Sequence, residues 1–406
     1  MENTNRSAGE ELAAKLLEEP KNAGLIMSDE EIAAADGFCE DYKKFLNAAK
    51  TEREASAEAI KRAKAAGFTE YDPTADYKAG DKFYFCNREK SVILTVMGKK
   101  PLADGIRLAA AHIDSPRLDL KQHPLYEDRE LALFKTHYYG GIKKYQWTTI
   151  PMSLHGVIVK ANGEKVSVAI GEDDGDPVFC VTDLLIHLAS EQMKRTLAEG
   201  VKGEELNLLI GSRPFKDDKV SKKVKLNIMS ILNEKYGITE HDFVSAELEI
   251  VPAFKARDLG FDRSMVGGYG QDDRVCSYPA LQAILGCEAP EHTCMTILTD
   301  KEETGSDGNT GLNSSYLPYF IDDLAAKQGA KGHNVISKSL CLSADVNAAE
   351  DPTFADVTET RNASKLNYGV VITKYTGARG KSGTSDASAE FVGKIRKMMN
   401  DGGVIW

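Results

Sequence analysis

Four short segments of this chain place histidine and carboxylate side chains where they could act on a ligand. His112 and Asp114 stand in AAAHIDSPRLDLK (109–121), and Asp272 and Asp273 in GGYGQDDRVCSYPAL (267–281). Glu302 and Glu303 stand in ILTDKEETGS (297–306), and Asp345 in LCLSADVNAAEDP (340–352). One imidazole and several carboxylates would repel one another and would be costly to bury together. A divalent cation reverses that cost. Imidazole nitrogen and carboxylate oxygen suit zinc, with manganese or cobalt as alternatives. Two ions about 3.5–4 Å apart would need a carboxylate between them and further ligands on each side.

The adjacent glutamates have their own logic. Neighbouring side chains of an extended segment point to opposite sides. Where the chain turns, both can border one pocket. Glu303 can then ligate metal while Glu302 serves as general base toward water. His112 and Asp114, two residues apart on a strand, would share a face, so that Asp114 holds the second imidazole N–H. Each cluster taken singly also fits a solvated strand end, a helix cap at Asp272, or a satisfied core histidine at His112. Their joint occurrence, in this order, favours a metal centre.

Positioning these residues requires strands and helices in alternation. Helical spacing covers 8–18 and 29–65, with a capping-box start at SDEE (28–31). Strand patterns follow at 82–86, 91–98 and 105–114. From about 131 to 253 come short period-2 or fully apolar runs, interrupted by helical spacing near 183–199 and 219–236. After 256 the pattern is a helix at 272–286, a strand at 293–299, a helix at 314–328, strands at 339–344 and 368–374, and a helix at 385–399. The fold class expected is α/β: a central mixed sheet flanked by helices. The catalytic domain would be discontinuous, 1–125 and 256–406, with a β-rich domain inserted at 126–255. Ligands of open α/β sheets bind beyond the carboxyl ends of the strands, where three of the four clusters fall.

The 406 residues carry a formal charge of −11, which argues against nucleic acid or a membrane surface as partner. No run of about 18 apolar residues marks a membrane span. The acidic N-terminal segment MENTNRSAGEELAAKLLEEP is unlike a signal peptide. Seven cysteines, with no C-x-x-C, sit mostly in apolar runs and read as buried thiols of a reducing cytosol.

AAHIDSPRLDLK, GQDDR, DKEETGS, SADVNAAEDP and GKSGTSDASAEF together resemble the M18 family of metallo-aminopeptidases, the aspartyl-aminopeptidase group of the binuclear-zinc exopeptidases. The resemblance spans nearly the whole chain. It implies two divalent ions: His112, Asp272 and Asp345 on one, Asp272 bridging, Glu303 on the second, Glu302 activating water and Asp114 orienting His112. It also implies a cis peptide after Asp272, peptide substrates cleaved at the N-terminus, and a homo-oligomer, a hollow dodecamer, with interfaces built by the insert. His187, in DLLIHLAS, resembles a family histidine that reaches a neighbour's active site; a plain helix histidine is the alternative. TKYTGARGKSGTSDASAEF (373–391) resembles the substrate-binding segment, in which Lys374, Arg379 or Lys381 would meet an acidic group; solvated loop charges are the alternative.

One departure stands out. The family's second metal takes a terminal histidine from near the C-terminus, yet none of the eight histidines follows Asp345. The family's D-x-x-H-A pattern reads Asp345-Val-Asn-Ala-Ala here. The expectation is a chain that continues beyond Trp406, with a second metal site incomplete as given. Competing readings are a deacylase or carboxypeptidase of the same clan, and a catalytically impaired scaffold subunit, which would have no use for Glu302.

Overall fold

The computed structural model describes residues 6–375 and 383–406, so Arg379 and Lys381 lie outside the described residues. The chain divides into two compact units. One is Cys39–Val346; the other joins Met1–Phe38 with Asn347–Trp406.

The larger unit holds two main sheets. The first is six-stranded. Its neighbours run Thr69–Glu70, Lys82–Asn87, Ser91–Val96, Cys294–Thr299, Arg107–His112 and Leu340–Ser343. The strand Cys294–Thr299 is antiparallel to Ser91–Val96 but parallel to Arg107–His112, which is in turn parallel to Leu340–Ser343. The sheet is therefore mixed, and three adjacent parallel strands end on one edge. Its inner strands are apolar on both faces because both faces are covered. Val92, Leu94, Val96 and Leu298 pack with Ala55 and Ala59 of the helix Glu52–Ala65 and with Tyr278 and Leu281 of the helix Gln271–Leu285. Ile93, Met295 and Ile297 point the other way, onto Phe320, Ile321 and Leu324 of the helix Tyr316–Lys327.

The second sheet is seven-stranded and antiparallel throughout, taking up Arg117–Asp128 through Ala246–Pro252, so it begins ahead of residue 126. Leu118, Phe134, Leu154, Ile158 and Ile250 form its core, covered by Val224, Ile228 and Leu232 of the helix Lys223–Tyr236.

A polar seam links the start of the helix Glu52–Ala65, which covers the first sheet, to the second sheet and its flank. Lys50 Nζ donates to the Phe254 carbonyl at 2.6 Å. His155 Nδ1 lies 2.7 Å from Glu54 Oε1, and its Nε2 lies 3.1 Å from Glu172 Oε1. Arg117 reaches Glu52 at 3.2 Å and Glu249 at 3.4 Å.

The smaller unit contains the helices Ala8–Leu16 and Ala389–Asp401. Each begins at a serine, Ser7 or Ser388, whose hydroxyl accepts an N–H of the first turn.

Three expectations change. The segment 183–199 is not one helix but two short 3-10 turns, Ile186–Leu188 and Gln192–Lys194. Helical spacing alone does not hold a helix whose apolar side chains pack on nothing, and Leu185, Ile186 and Leu188 are exposed. Residues 368–374 form no strand, because among the described residues no strand pairs with them. The cysteines are not fully buried: six are partly buried and Cys341 is exposed.

Candidate metal centre

The three parallel strands end in chemistry. Arg107–His112 closes on the imidazole, Cys294–Thr299 runs into the turn that carries Glu302 and Glu303, and Leu340–Ser343 is followed by Asp345. The fourth contribution comes from the start of the helix Gln271–Leu285. Gly270 precedes it with φ +81°, and a Cβ there would fall 2.0 Å from the Arg274 guanidinium, so only glycine fits. Asp272 and Asp273 leave helical geometry, and the peptide between them is cis, as the family resemblance implies. This break turns the Asp272 carboxylate toward the strand ends.

His112 Nε2 lies 3.0 Å from Asp272 Oδ1, 3.7 Å from Asp345 Oδ1 and 3.7 Å from Glu302 Oε2. One ligand atom each from His112, Asp272 and Asp345 falls within 4.8 Å of the others. Glu303 is outside that group of three. The imidazole is buried at 2% exposure, whereas the Asp272, Glu302 and Asp345 side chains are about half exposed. The centre thus has a fixed nitrogen at its base and carboxylates open to solvent.

Asp114 lies just past the strand rather than on it, yet still faces His112. Its carboxylate Oδ1 is 3.3 Å and its carbonyl 3.0 Å from His112 Nδ1. The same carboxylate accepts the Glu302 N–H at 3.1 Å, the Glu303 N–H at 3.2 Å and the Tyr139 hydroxyl at 2.6 Å. Asp114 therefore orients both the imidazole and the turn that carries the two glutamates.

The electrostatics favour a cation. Burial lowers the His112 pKa, but the carboxylates of Asp114, Asp272 and Asp345 outweigh it and push it up to about 12. Burial, with Asp272 and Asp114 adding repulsion, raises Glu303 to about 7. Burial also raises Glu302, which His112 counteracts and Asp345 reinforces. A proton on His112 is a weak substitute for the divalent ion that this donor set, one nitrogen and several oxygens, would hold.

Some contributors carry no motif of their own. Arg274, fully buried, donates to Ser115 Oγ at 2.6 Å and to the carbonyls of Lys50 and Ile113 at 3.2 and 3.1 Å. Ser115 passes the restraint on, donating to the Asp272 carbonyl at 2.6 Å. Asp300, also fully buried, accepts the Lys301 N–H at 2.8 Å and the Thr310 hydroxyl at 2.6 Å. It thereby pins the turn before Glu302, and its burial raises it to about 6. Asp273 is fully buried, and burial raises it to about 7. Adjacency within QDDR and DKEE was the available signal for Asp273, Arg274 and Asp300, and adjacency to Asp114 for Ser115; Tyr139 had none.

The other site candidates lie elsewhere. His187 is solvent-exposed in the turn Ile186–Leu188, and no hydrogen bond or ion pair among the described residues joins it to the cluster. Lys374 belongs to the smaller unit, exposed, its Nζ 5.5 Å from the Tyr375 ring centroid.

A mixed sheet whose parallel strands deliver histidine, aspartate and glutamate to one edge is the framework of a metal-dependent hydrolase. Comparison with known proteins narrows the class. The family model for the aminopeptidase I zinc metalloproteases (M18) matches residues 45–403. A probable M18 family aminopeptidase 1 of Clostridium acetobutylicum is 50% identical over 399 residues, covering 96% of this chain and 86% of that protein. A Thermotoga maritima relative of the same description is 46% identical over 393 residues, covering 96% and 85%. The crystal structure of the M18 aminopeptidase from Thermotoga maritima superposes with a TM-score of 0.90 at 45% identity, over 96% of this chain and 86% of that one. That of aminopeptidase I from Clostridium acetobutylicum gives 0.88 at 48%, over the same shares. The chain belongs to the M18 family of zinc metalloproteases and is an aminopeptidase, a hydrolase that removes residues from the N-terminus of peptides. No helix among the described residues is long and apolar enough to cross a membrane.

Proposed function

We propose that His112, Asp272 and Asp345 hold one zinc ion, and that Asp272 and Glu303 are the residues this chain offers to a second. The observation that carries the assignment is the convergence of the three ligand atoms within 4.8 Å beside Glu302. Zinc bound there supplies Lewis acidity toward a peptide carbonyl and makes water more acidic. Glu302 takes the proton from the attacking water and delivers it to the departing amine. Its position supports that role: Asp114 anchors its backbone, and its half-exposed carboxylate faces the cluster. Asp114 keeps the His112 ring in place. The exposed carboxylates attract the free α-ammonium group of a peptide, which confines cleavage to its N-terminus.

The β-rich insert, set at 126–255 on the sequence pattern, is assigned to oligomerisation and substrate access. Leu184, Leu185, Ile186, Leu188 and Met193, each more than half exposed, offer an apolar surface to a second copy of the chain, with His187 among them. A dodecamer is the assembly the family resemblance implies. Lys374 is assigned to substrate, and a reducing cytosol is the setting that fits the free cysteines.

The test is Glu302→Gln, assayed on a panel of aminoacyl-chromophore substrates after zinc reconstitution. Turnover should fall about 10²–10⁴-fold, with zinc affinity within about twofold of the parent. Turnover within threefold of the parent, at equal zinc content, would remove Glu302 from the role of base.

A further inference from the structure

Tyr139 closes the strand Leu131–Tyr139 of the second sheet, yet its side chain serves the first. It is 7% exposed, and its hydroxyl donates to Asp114 Oδ2 at 2.6 Å. Asp114 is fully buried, and its other donors are the Glu302 and Glu303 N–H groups and the His112 ring. An anionic acceptor shortens and strengthens such a bond. The phenol is thus one of the restraints on the carboxylate that sets both the imidazole and the base-bearing turn.

Two further observations concern the same strand end. The Arg117 guanidinium lies 3.9 Å from the centroid of the Tyr139 ring. Arg117 is itself held by Asp119 at 2.8 Å, Glu52 at 3.2 Å and Glu249 at 3.4 Å, so the ring has little freedom to swing. The next residue, Gly140, has φ +75°, and a Cβ on it would stand 2.8 Å from Glu303 Oε2 and 3.3 Å from Glu303 Cβ. The last residue of the strand therefore touches Asp114 through a hydroxyl, and the glycine that follows it leaves room for Glu303 where a Cβ would collide.

We infer that Tyr139 is a positioning residue of the metal centre, acting through Asp114, and that Tyr139–Gly140 carries the shape of the second sheet to the residues that bind zinc and activate water. The inference rests on the assignment of His112 as a zinc ligand. Removing a partner that orients a metal-binding histidine costs about 10–100-fold in metal affinity or activity.

The experiment uses the full chain. Tyr139→Phe removes only the hydroxyl. Zinc affinity, measured by competition with a chromophoric chelator, should weaken about tenfold or more. At saturating zinc kcat should fall by a similar factor while KM stays within about twofold, because the phenol touches no substrate. In the Asp114→Ala background the same substitution should change zinc affinity less than about twofold, because its route is already cut. Zinc affinity and kcat within twofold of the parent would overturn the inference. So would a lowered melting temperature with unchanged kcat at saturating zinc, the mark of a merely structural phenol. Should Tyr139→Phe fail to fold, Gly140→Ala approaches the turn through its other contact. A tenfold weaker zinc affinity with a parental circular-dichroism spectrum is then expected, and parental affinity is the overturning result. His112→Ala separates the two levels. If it binds zinc like the parent, the site assignment fails. If it loses zinc while Tyr139→Phe does not, only this inference fails.

Discussion

His155 offers the sharpest thermodynamic test of how the two sheets of the larger unit are joined. It is 1% exposed, on the strand Met152–Val159 of the second sheet, and Glu54 reaches it from the helix that covers the first. Burial depresses its pKa, but Glu172 and Glu54 outweigh that and raise it to about 9. An unfolded histidine titrates near 6.5, so at about 1.4 kcal/mol per tenfold the charged imidazole contributes about 3 kcal/mol of folding free energy. The sign follows from the direction. A raised pKa means that the folded state binds the proton more tightly. The contribution is complete below about pH 6.5, near 2.5 kcal/mol at pH 7, and lost as pH rises through about 9. In His155→Gln the titration disappears while a polar side chain remains. Urea unfolding of both proteins at pH 7, 8.5 and 10, each with saturating zinc, yields a stability gap in which the shared titrations cancel. That gap should shrink by roughly 2.5 kcal/mol between pH 7 and pH 10. A gap constant within about 0.5 kcal/mol would mean that the histidine is neutral in the folded protein, and the ionic account of the seam would be wrong.

Three further outcomes are expected. Exhaustive chelation should abolish turnover and zinc should restore it; for His112→Ala, excess zinc should restore less than about a hundredth of it, as read from rates on an aminoacyl chromophore across a zinc titration. Arg274→Met leaves the Ile113 and Lys50 carbonyls without their donor and should cost about 3 kcal/mol or more, measured by urea denaturation, with a drop in kcat because Ser115 no longer holds the Asp272 backbone from a fixed position. Replacing Leu185 and Ile186 together by serine should shift the protein to smaller species in light scattering while leaving the monomer folded by circular dichroism; an unchanged mass would exclude this segment from the assembly.

Much of the centre was legible in the sequence because metal chemistry restricts residue type and strand geometry restricts position. An apolar run ending in His112, another ending before Glu302 and a third ending before Asp345 can meet only if the strands are parallel neighbours, and they are. The reading failed where a segment's fate depends on what packs against it. Residues 183–199 carry helical spacing, but spacing states which face would be buried, not whether a partner is there. Residues 368–374 carry a strand pattern, but a strand exists only with a neighbour to bond.

The sequence by itself determined the candidate residues, their order along the chain and the alternation of elements that brings most of them to one sheet edge. These follow from local pattern and from the chemistry of imidazole and carboxylate. The tertiary structure exposes Asp272 beside His112 and buries Asp273, a difference that adjacency in the sequence does not contain. It also decided that Tyr139 and Arg117 of the second sheet, with Gly140 just beyond it, bear on a centre built by the first. A hydrogen bond between residues 25 apart in sequence, as between Tyr139 and Asp114, depends on the path of everything between them. No local rule contains that path.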